Sequence, residues 1–527
     1  MPEYLHPGVY IEEVERGPRP VEGVPTSTAA ILGETERGSI TPRLVTSYKE
    51  YQRWFGRVFG ADKYVPYATN GFFENGGKRA YICRIVGQAA TTAEENFGDF
   101  NVRAAGPGEW GNRVTIKISD GSTKDSNNES IGFRLRVAYW DGSEPAPAID
   151  PFDSEQLATT DRKITHIEDF DDLVTDETSP DFYGKRFPLI DDDISDKNQG
   201  PESSALAMLV RLSGVSAIAR PENGVKNLTN GADDATPVAN DDFKGLPAGE
   251  RRIDQGLSAL ELDPYRDVAL VYAPQVDPDT SKAIISHCEK MKFRFAVVDA
   301  PKGQNSASDL NPRNSVTDTT YAAFYYPWLV TSDPQTGVRK LTPPGGHVLG
   351  VYARSDTERG VFKAPANEIV RGAFSVEFDI NDELQDVLNP KGVNVIRSLP
   401  GRGIRVWGAR TLSSNALWKY VSVRRLFIFL ERSIYENTQW VVFEPNDQTL
   451  WSRVTDTIRL FLRTQWRLGA LFGATEEEAF FITCDETTMS QDDILNGRLI
   501  CEIGIAPVRP AEFVIFRIFQ HTNESQQ

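Results

Sequence analysis

Two residues of this sequence have side chains that could take part in hydrolysis, Asp299 and His347. Asp299 ends the apolar stretch FRFAVVDAP (293–301), which predicts a strand, and α/β enzymes keep catalytic groups at the carboxyl ends of strands. An Asp–His pair could activate a serine, but no serine stands in a recognisable nucleophile context. We therefore predict no catalytic residue, and keep a hydrolase with a degenerate α/β active site as an alternative.

Motifs of the common enzyme and metal-site classes are missing from the sequence. It has no G-x-S-x-G elbow, no P-loop, no G-x-G-x-x-G that opens a helix and no H-E-x-x-H. The four cysteines fit no zinc spacing, and the acidic runs lack the calcium-loop pattern. We predict neither a metal site nor a cofactor, and reduced thiols at Cys83, Cys288, Cys484 and Cys501.

The formal net charge of the 527-residue chain is -18. Such a charge repels phosphates and anionic lipid, so we expect no nucleic-acid partner. No run of 18 apolar residues occurs, which argues against direct membrane insertion. The N-terminus has no apolar h-region, so it is not a secretory signal, and folding in a cytoplasm is expected.

The elements that would position these residues change in type along the chain. Apolar runs at 266–274, 293–301 and 320–330, with an amphipathic helix at 279–292 capped by Thr or Ser, predict βαβ units and a parallel sheet. Before them, alternation at 115–119 and 133–142 predicts antiparallel strands. Between the two regions, the acidic stretch 143–250 is interpreted as a solvated surface with long loops.

Two long helices are predicted near the C-terminus, within 415–445 and 446–473, the first followed by a strand. The second helix carries an apolar stripe and four arginines outside it, Arg453, Arg459, Arg463 and Arg467. These arginines could be a solvated or internally paired face, or a contact strip for an acidic partner.

Both ends of the chain have strand-like segments next to prolines. PGVYIEEVERGPRP near the N-terminus and APVRPAEFVIFRIF near the C-terminus are single extended segments. A strand with unpaired backbone groups and two apolar faces needs neighbouring strands on either side. We predict donor-strand arms that contact other subunits through Pro7, Gly8, Val9, Tyr10, Ile11, Glu12, Glu512, Phe513, Val514, Ile515, Phe516, Arg517 and Ile518.

The segment PPGGHVLGVYARSDTERGVFKAPAN (343–367) is interpreted as a joint between domains. Paired prolines stiffen its entry, and paired glycines permit a positive φ. HVLGVYAR could be a helix or a strand. The residues assigned to the joint are Pro343, Pro344, Gly345, Gly346, Arg359 and Gly360.

This same segment closely resembles the domain-crossing segment of contractile tail sheath proteins. Similar matches are GVNVIRSLPGRGIRVWGARTLSS (392–414), TQWVVFEPNDQTLW (438–451), APVRPAEFVIFRI (506–518), YLHPGVYIEEV (4–14) and PGEWGNRVTI (107–116). The resemblance spans nearly the whole chain and is weakest at 143–250. It includes sheaths of phage tails and of extracellular contractile injection systems.

The resemblance implies an α/β and α+β multidomain fold. A tube-proximal α+β core domain, built from the N- and C-terminal segments, would carry an inserted β-rich outer domain and a doubly wound subtilisin-like α/β domain without protease activity. The implied boundaries are 1–22 (N-terminal arm), 23–95 (core, first part), 96–200 (β-rich insertion), 201–355 (subtilisin-like), 356–505 (core, second part) and 506–527 (C-terminal arm).

The resemblance also implies partners. Copies of the chain would form stacked hexameric rings around an inner tube, with baseplate and terminal cap proteins at the ends and paralogous sheath subunits as further candidates. We assign the tube contact to the four arginines. The alternative to a sheath subunit is a hydrolase or another tail or baseplate component.

Overall fold

A computed structural model describes residues 21–187, 207–213, 220–245, 255–304 and 309–518. The N-terminal arm residues, Pro7 to Glu12, lie outside the described residues. The strands of the described residues are, in chain order, β1 (Ala29–Gly33), β2 (Arg43–Val45), β3 (Ala80–Arg84), β4 (Glu94–Phe97), β5 (Phe100–Ala104), β6 (Val114–Asp120), β7 (Phe133–Trp140), β8 (Ile164–Leu173), β9 (Val210–Ser213), β10 (Gly224–Asn227), β11 (Leu270–Tyr272), β12 (Phe295–Asp299), β13 (Ala322–Tyr326), β14 (Leu329–Ser332), β15 (Arg339–Thr342), β16 (Glu368–Ile369), β17 (Ala373–Val376), β18 (Val393–Leu399), β19 (Gly403–Val406), β20 (Phe480–Thr483) and β21 (Glu502–Ile505).

The α-helices of the same residues range from one turn to twenty residues. They are α1 (Tyr48–Phe55), α2 (Val65–Glu74), α3 (Ser154–Leu157), α4 (Tyr183–Arg186), α5 (Asn240–Lys244), α6 (Gly256–Leu260), α7 (Pro278–Met291), α8 (Pro312–Ser315), α9 (Gly345–Arg359), α10 (Asp382–Leu388), α11 (Val421–Asn437), α12 (Gln448–Arg467), α13 (Glu476–Ala479) and α14 (Gln491–Leu495). The chain forms two compact units, called here the α/β unit (Pro25–Arg425) and the terminal unit (Met1–Val24 with Leu426–Gln527).

A nine-stranded sheet is the centre of the α/β unit. Its strand order is β16-β19-β18-β13-β12-β11-β1-β3-β2, and the six strands from β18 to β3 run parallel. From the β1–β11 pair the chain winds outward in both directions, which is a doubly wound arrangement. The parallel strands are mostly apolar, as expected where helices cover both faces of such a sheet. The predicted strands at 266–274 and 293–301 are confirmed as β11 and β12.

Helix α7 follows β11 and begins at a strong start signal. The side chain of Asp277 accepts hydrogen bonds from the backbone N–H groups of Asp279 and Thr280, and Pro278 takes the first helical position. The predicted Thr or Ser cap was wrong, since Asp277 caps the helix and Thr280 donates its hydroxyl to the same carboxylate.

A β-rich part of the α/β unit has its own apolar core. The antiparallel sheet β10-β6-β7-β8 and the sheet β4-β5-β9 share this core, which includes Trp110, Val137 and Tyr183. The antiparallel strands predicted at 115–119 and 133–142 are confirmed as β6 and β7. The acidic stretch contains a strand that was not predicted, because β8 (ITHIEDFDDL) pairs with β7 although carboxylates occupy many of its positions.

Two other predicted elements differ from the structure. The run 320–330 is divided at Pro327 between β13 and β14, which belong to different sheets. The strand predicted after the helix in 415–445 was wrong, because 439–441 form a 3-10 turn and Phe443 is fully exposed at φ 70. That apolar run finds no strand partner among the described residues.

The sheet also joins segments that the sequence analysis assigned to separate domains. Strands β1 to β3 come from 23–95, and β16, β18 and β19 come from the region after 355, yet all pair within the nine-stranded sheet. The boundary between the two units falls at 425/426 instead of 355/356. Distant segments share a sheet because parallel pairing does not require neighbours in sequence.

Candidate functional site

Asp299 is held by its own chain at the carboxyl end of β12. Its Oδ2 accepts a hydrogen bond from the Tyr272 hydroxyl at 2.5 Å, and its Oδ1 accepts one from the Gly345 N–H at 2.8 Å. Burial raises the pKa of Asp299 to about 7, and the two hydrogen bonds oppose that rise. Both oxygens are engaged, so the carboxylate is arranged as a structural tie between β11, β12 and the start of α9.

His347 lies in the buried part of α9. Burial lowers its pKa to about 4, so the ring is neutral near pH 7. A Cβ added to Gly71 would lie 2.4 Å from its Nδ1, which shows how closely the ring packs against α2. Within the described residues, Nδ1 has no hydrogen-bond partner. The arrangement is that of a neutral packing side chain.

The predicted joint is a buried helix inside one unit. Gly345 and Gly346 begin α9, and Pro343 and Pro344 precede it. A Cβ at Gly345 would lie 2.1 Å from the Tyr272 ring, and one at Gly346 would lie 2.4 Å from the Ala68 backbone. These glycines are needed for close packing and not for a positive φ.

The end of the same helix does show a positive φ. Gly360 ends α9 at φ 99, next to the exposed Arg359. The whole segment lies within the α/β unit, so it does not coincide with the 425/426 boundary. An interdomain role for these residues stays a prediction.

A buried cluster around Asp356 ties together the two ends of the α/β unit. The guanidinium of Arg425 donates to both Asp356 oxygens, at 2.9 and 2.6 Å. The Thr26 hydroxyl donates to Asp356 at 2.6 Å, and Arg425 also donates to the Thr26 carbonyl. The Asp356 and Arg425 side chains are only 5% and 3% exposed. Sequence analysis missed this cluster, because its members are 330 and 69 positions apart.

In the terminal unit, the arginines of α12 have unequal surroundings. Arg463 forms a forked pair with Glu476, at 2.6 and 3.2 Å, and Arg459 lies 3.8 Å from the same carboxylate. Arg453 stacks on the Trp440 ring, and Arg467 is exposed. Arg459 and Arg463 therefore match the internally paired alternative. Sequence analysis missed Glu476, whose signal is the acidic run EEE (476–478) at the start of α13, a short loop after α12.

The C-terminal segment leaves the terminal unit with its apolar side chains exposed. Phe472 donates its N–H to Ala506, and Val508 donates to Ala470, so the chain is held by backbone bonds as far as Val508. Residues 509–518 belong to neither a helix nor a strand. The predicted arm side chains Phe513, Val514, Ile515, Phe516 and Ile518 are between 68% and 94% exposed. Arg517 is exposed as well, whereas Glu512 is partly buried.

No group of three His, Cys, Asp or Glu side chains that could hold a metal ion occurs in the described parts of the chain. Among the helices of those parts, none combines the length and apolarity that a membrane span requires.

Family comparisons agree with the resemblance. A family model described as "Phage tail sheath protein central domain" matches residues 247–412, and one described as "Phage tail sheath C-terminal domain" matches 413–521. The two matches are contiguous and cover more than half of the chain. This chain belongs to the contractile tail sheath family. The junction between the two tail sheath domains, at 412/413, lies close to the 425/426 boundary of the structure.

Individual tail sheath relatives are distant in sequence. A "Putative prophage major tail sheath protein" of Pseudomonas aeruginosa (strain UCBPP-PA14) is 25% identical over 52% of this chain and 69% of its own length. The tail sheath protein of Burkholderia phage BcepMu is 28% identical over 41% of this chain and 48% of its own.

Solved structures match over almost the full length. The sheath complex of PVC, an extracellular contractile injection system in its contracted state, is 23% identical, with a TM-score of 0.57, and covers 99% of both chains. The contracted helical sheath of the anti-feeding prophage gives the same identity and TM-score, over 98% of this chain and 99% of that one. At this identity the likeness shows the mixed α/β multidomain fold alone.

Proposed function

We propose that this protein is a structural sheath subunit of a contractile phage-tail-like machine. It polymerises as stacked hexameric rings around an inner tube in a metastable extended state, and contracts to drive the tube through a target envelope. It is not an enzyme in this proposal. The machine is assembled in a bacterial cytoplasm, with baseplate and terminal cap proteins at its ends.

The observation that carries the proposal is the exposed apolar segment 513–518 in a chain of this family. Five large apolar side chains exposed to water on both faces of an extended segment are an aggregation hazard unless strands of another molecule cover them. Backbone hydrogen bonds hold the chain up to Val508, so the segment leaves the terminal unit from a fixed point. In an assembly, residues 512–518 add a strand to a neighbouring copy, and residues 7–12 do the same at the other end of the chain.

Strand exchange of this kind explains how the assembly propagates. Each copy gives strands to neighbours and receives strands from others, so the contacts are heterologous and form a helix instead of a closed dimer. During contraction the subunits move as rigid bodies, while the arms act as hinges that keep the lattice continuous. The extended state is kinetically trapped, so the work is stored at assembly and no nucleotide is required.

For the inner tube we propose a contact through the arginine side of α12. Arg453 and Arg467 are the stronger candidates, since Glu476 already pairs with Arg463 and lies near Arg459. Charge reversal at Arg453 and Arg467 should prevent sheath and tube from assembling together, without changing the fold. Charge reversal at Arg459 and Arg463 should have the smaller effect on co-assembly. Normal extended particles with all four reversed would remove α12 from the tube contact.

The function is tested by microscopy of the full chain produced with its candidate tube protein. The expected result is long striated sheaths around a tube, and Phe513→Asp with Ile515→Asp should abolish them. The matched control is Ile131→Asp, an exposed apolar residue of the α/β unit, which should leave the sheaths normal. Unassembled wild-type chains that hydrolyse peptides would instead support the hydrolase alternative.

A baseplate role is the second candidate, because one structural neighbour comes from the baseplate of the anti-feeding prophage. That chain is 23% identical, has a TM-score of 0.54 and covers 98% of this chain. The same micrographs separate the two roles. A sheath subunit should line the whole particle when labelled by antibody, whereas a baseplate component should be confined to one end.

A further inference from the structure

The strands β20 and β21 bring two of the four cysteines face to face. In their antiparallel ladder Phe480 lies opposite Ile505, Ile482 opposite Ile503 and Thr483 opposite Glu502. One step further along the same register, Cys484 lies opposite Cys501. Directly opposed residues project to the same face of a two-stranded ribbon, so the two thiols continue the row made by the Phe480 and Ile482 pairs.

This placement satisfies the geometric requirement of a disulfide. Opposed residues of an antiparallel pair have Cα atoms about 4.5–5.5 Å apart, within the range of about 4.4–6.8 Å found in disulfides. Both thiols are free, and each lies close enough to the other to influence its pKa. The chain next to them is fixed, since the Thr488 hydroxyl donates to the Ile500 carbonyl at 2.9 Å. Cys83 and Cys288 are each fully buried in the α/β unit.

We propose that Cys484 and Cys501 form a latent redox site, which closes to an intrachain disulfide when the protein meets a small disulfide oxidant. The bond would close the loop 485–500, which contains α14, onto the two-stranded sheet. No other subunit and no tube protein is required, so the inference does not rest on the proposed function.

Oxidised glutathione would form the Cys484–Cys501 disulfide in two thiol–disulfide exchange steps. The thiolate of Cys501, which is more exposed than Cys484, attacks one sulfur of the oxidant and releases a glutathione thiolate. The thiolate of Cys484 then attacks the Cys501 sulfur and releases the second glutathione. Two protein thiols are oxidised, one small disulfide is reduced, and the two protons end on the glutathione thiols.

Burial makes the site slow to react near neutral pH. It raises the pKa of Cys501 to about 12 and also raises that of Cys484, so few thiolates are present at pH 7. The rate of bond formation should therefore rise about tenfold per pH unit between pH 7 and 9, as the thiolate fraction does. The site stays reduced in a reducing compartment and closes only on prolonged contact with an oxidant.

Mass spectrometry of the wild-type full chain tests the site directly. The folded protein is incubated with oxidised glutathione at pH 8.5, free thiols are alkylated, and the chain is cut with trypsin. Arg498 lies between the two cysteines, so cleavage there separates them unless a disulfide joins their peptides. The expected product is a single linked pair of peptides, 468–498 with 499–517, lighter by two hydrogen atoms, with Cys83 and Cys288 alkylated only after denaturation.

Two results would overturn the inference. One is separate alkylation or glutathionylation of Cys484 and Cys501 in the folded chain after long oxidation. The other is a link between different chains, seen as a dimer on a non-reducing gel. In the variants Cys484→Ser and Cys501→Ser, the linked peptide should vanish. Hydrogen exchange adds a structural readout, since amides of 485–500 should exchange at least about tenfold more slowly in the oxidised protein.

Discussion

The α/β unit and the terminal unit differ in how much of their apolar and charged surface each one buries within itself. In the α/β unit a nine-stranded sheet is covered, and the charges of Asp356 and Arg425 are buried and paired. The terminal unit has a two-stranded sheet and ends in apolar residues that nothing in the described chain covers. We infer that the α/β unit is built for stability, and the proposed function assigns association to the terminal unit. Substitutions in the α/β unit should therefore lower stability, whereas substitutions in the exposed segment of the terminal unit should impair assembly.

The largest effect on stability is expected at the buried Asp356 cluster. Asp356→Ala leaves the Arg425 guanidinium buried without its carboxylate, which should lower the free energy of unfolding by about 3–5 kcal/mol. The matched control is Asp382→Ala, because Asp382 pairs with Arg397 at the surface and is 90% exposed; it should cost less than about 1 kcal/mol. Denaturant unfolding of both variants measures the difference, and equal losses would contradict the role of burial.

The next largest loss of stability is expected from a substitution where α9 packs closely on α2. In Gly346→Ala the new methyl group meets the Ala68 backbone, which cannot move aside as a side chain could. The unfolding free energy should fall by about 1–3 kcal/mol. Gly224→Ala is the control, since a Cβ at Gly224 has no atom within 4 Å, and it should be neutral. An unchanged Gly346→Ala would mean that the two helices separate easily.

A pH dependence of the α/β unit is expected from Asp299. Its pKa is raised from 3.8 to about 7, so between these values the folded chain holds a proton that the unfolded chain releases. Stability from this group therefore falls as pH rises through that window. The asparagine of Asp299→Asn cannot ionise, so it does not lose stability in this window. The free energy of unfolding of the variant minus that of wild type should therefore be about 1–3 kcal/mol larger at pH 8 than at pH 5.

Urea unfolding of wild type and Asp299→Asn at pH 5 and pH 8 tests that expectation. The pKa values of His287 and His347 are lowered to about 3 and about 4, so both side chains lose protons on folding between those values and about pH 6.5. They are present in both proteins, so their contribution cancels in the comparison. If the unfolding free energies of the two proteins changed by the same amount between pH 5 and pH 8, Asp299 would be ionised in the folded chain at pH 5.

The smallest effect on stability is expected in the terminal unit. Phe513→Asp and Ile515→Asp remove side chains that already lie in water, so the unfolding free energy of the isolated chain should change by less than about 0.5 kcal/mol. Calorimetry of unassembled protein checks this. A large loss of stability would mean that 513–518 pack on their own chain, and the contrast between the two units would fail.

Much of the α/β unit could be predicted from the sequence, since β11, β12, α7, β6 and β7 each carry a clear apolar pattern. The patterns failed where another segment decides the outcome. Strand β8 was missed because pairing with β7 overrides its acidic composition. The run near Phe443 was overpredicted because it has no strand partner among the residues that the structure describes. Contacts across hundreds of residues, such as Thr26 with Asp356, leave no local signal.

One consequence of the Asp356 cluster concerns how this molecule could be rearranged. Thr26 and Arg425 are 399 positions apart, yet both bind the same carboxylate, so the large unit begins and ends at one point. Domains whose two ends meet tolerate circular permutation and transplantation. Because α11 (Val421–Asn437) crosses the 425/426 boundary, a permuted or transplanted segment would have to keep that helix whole.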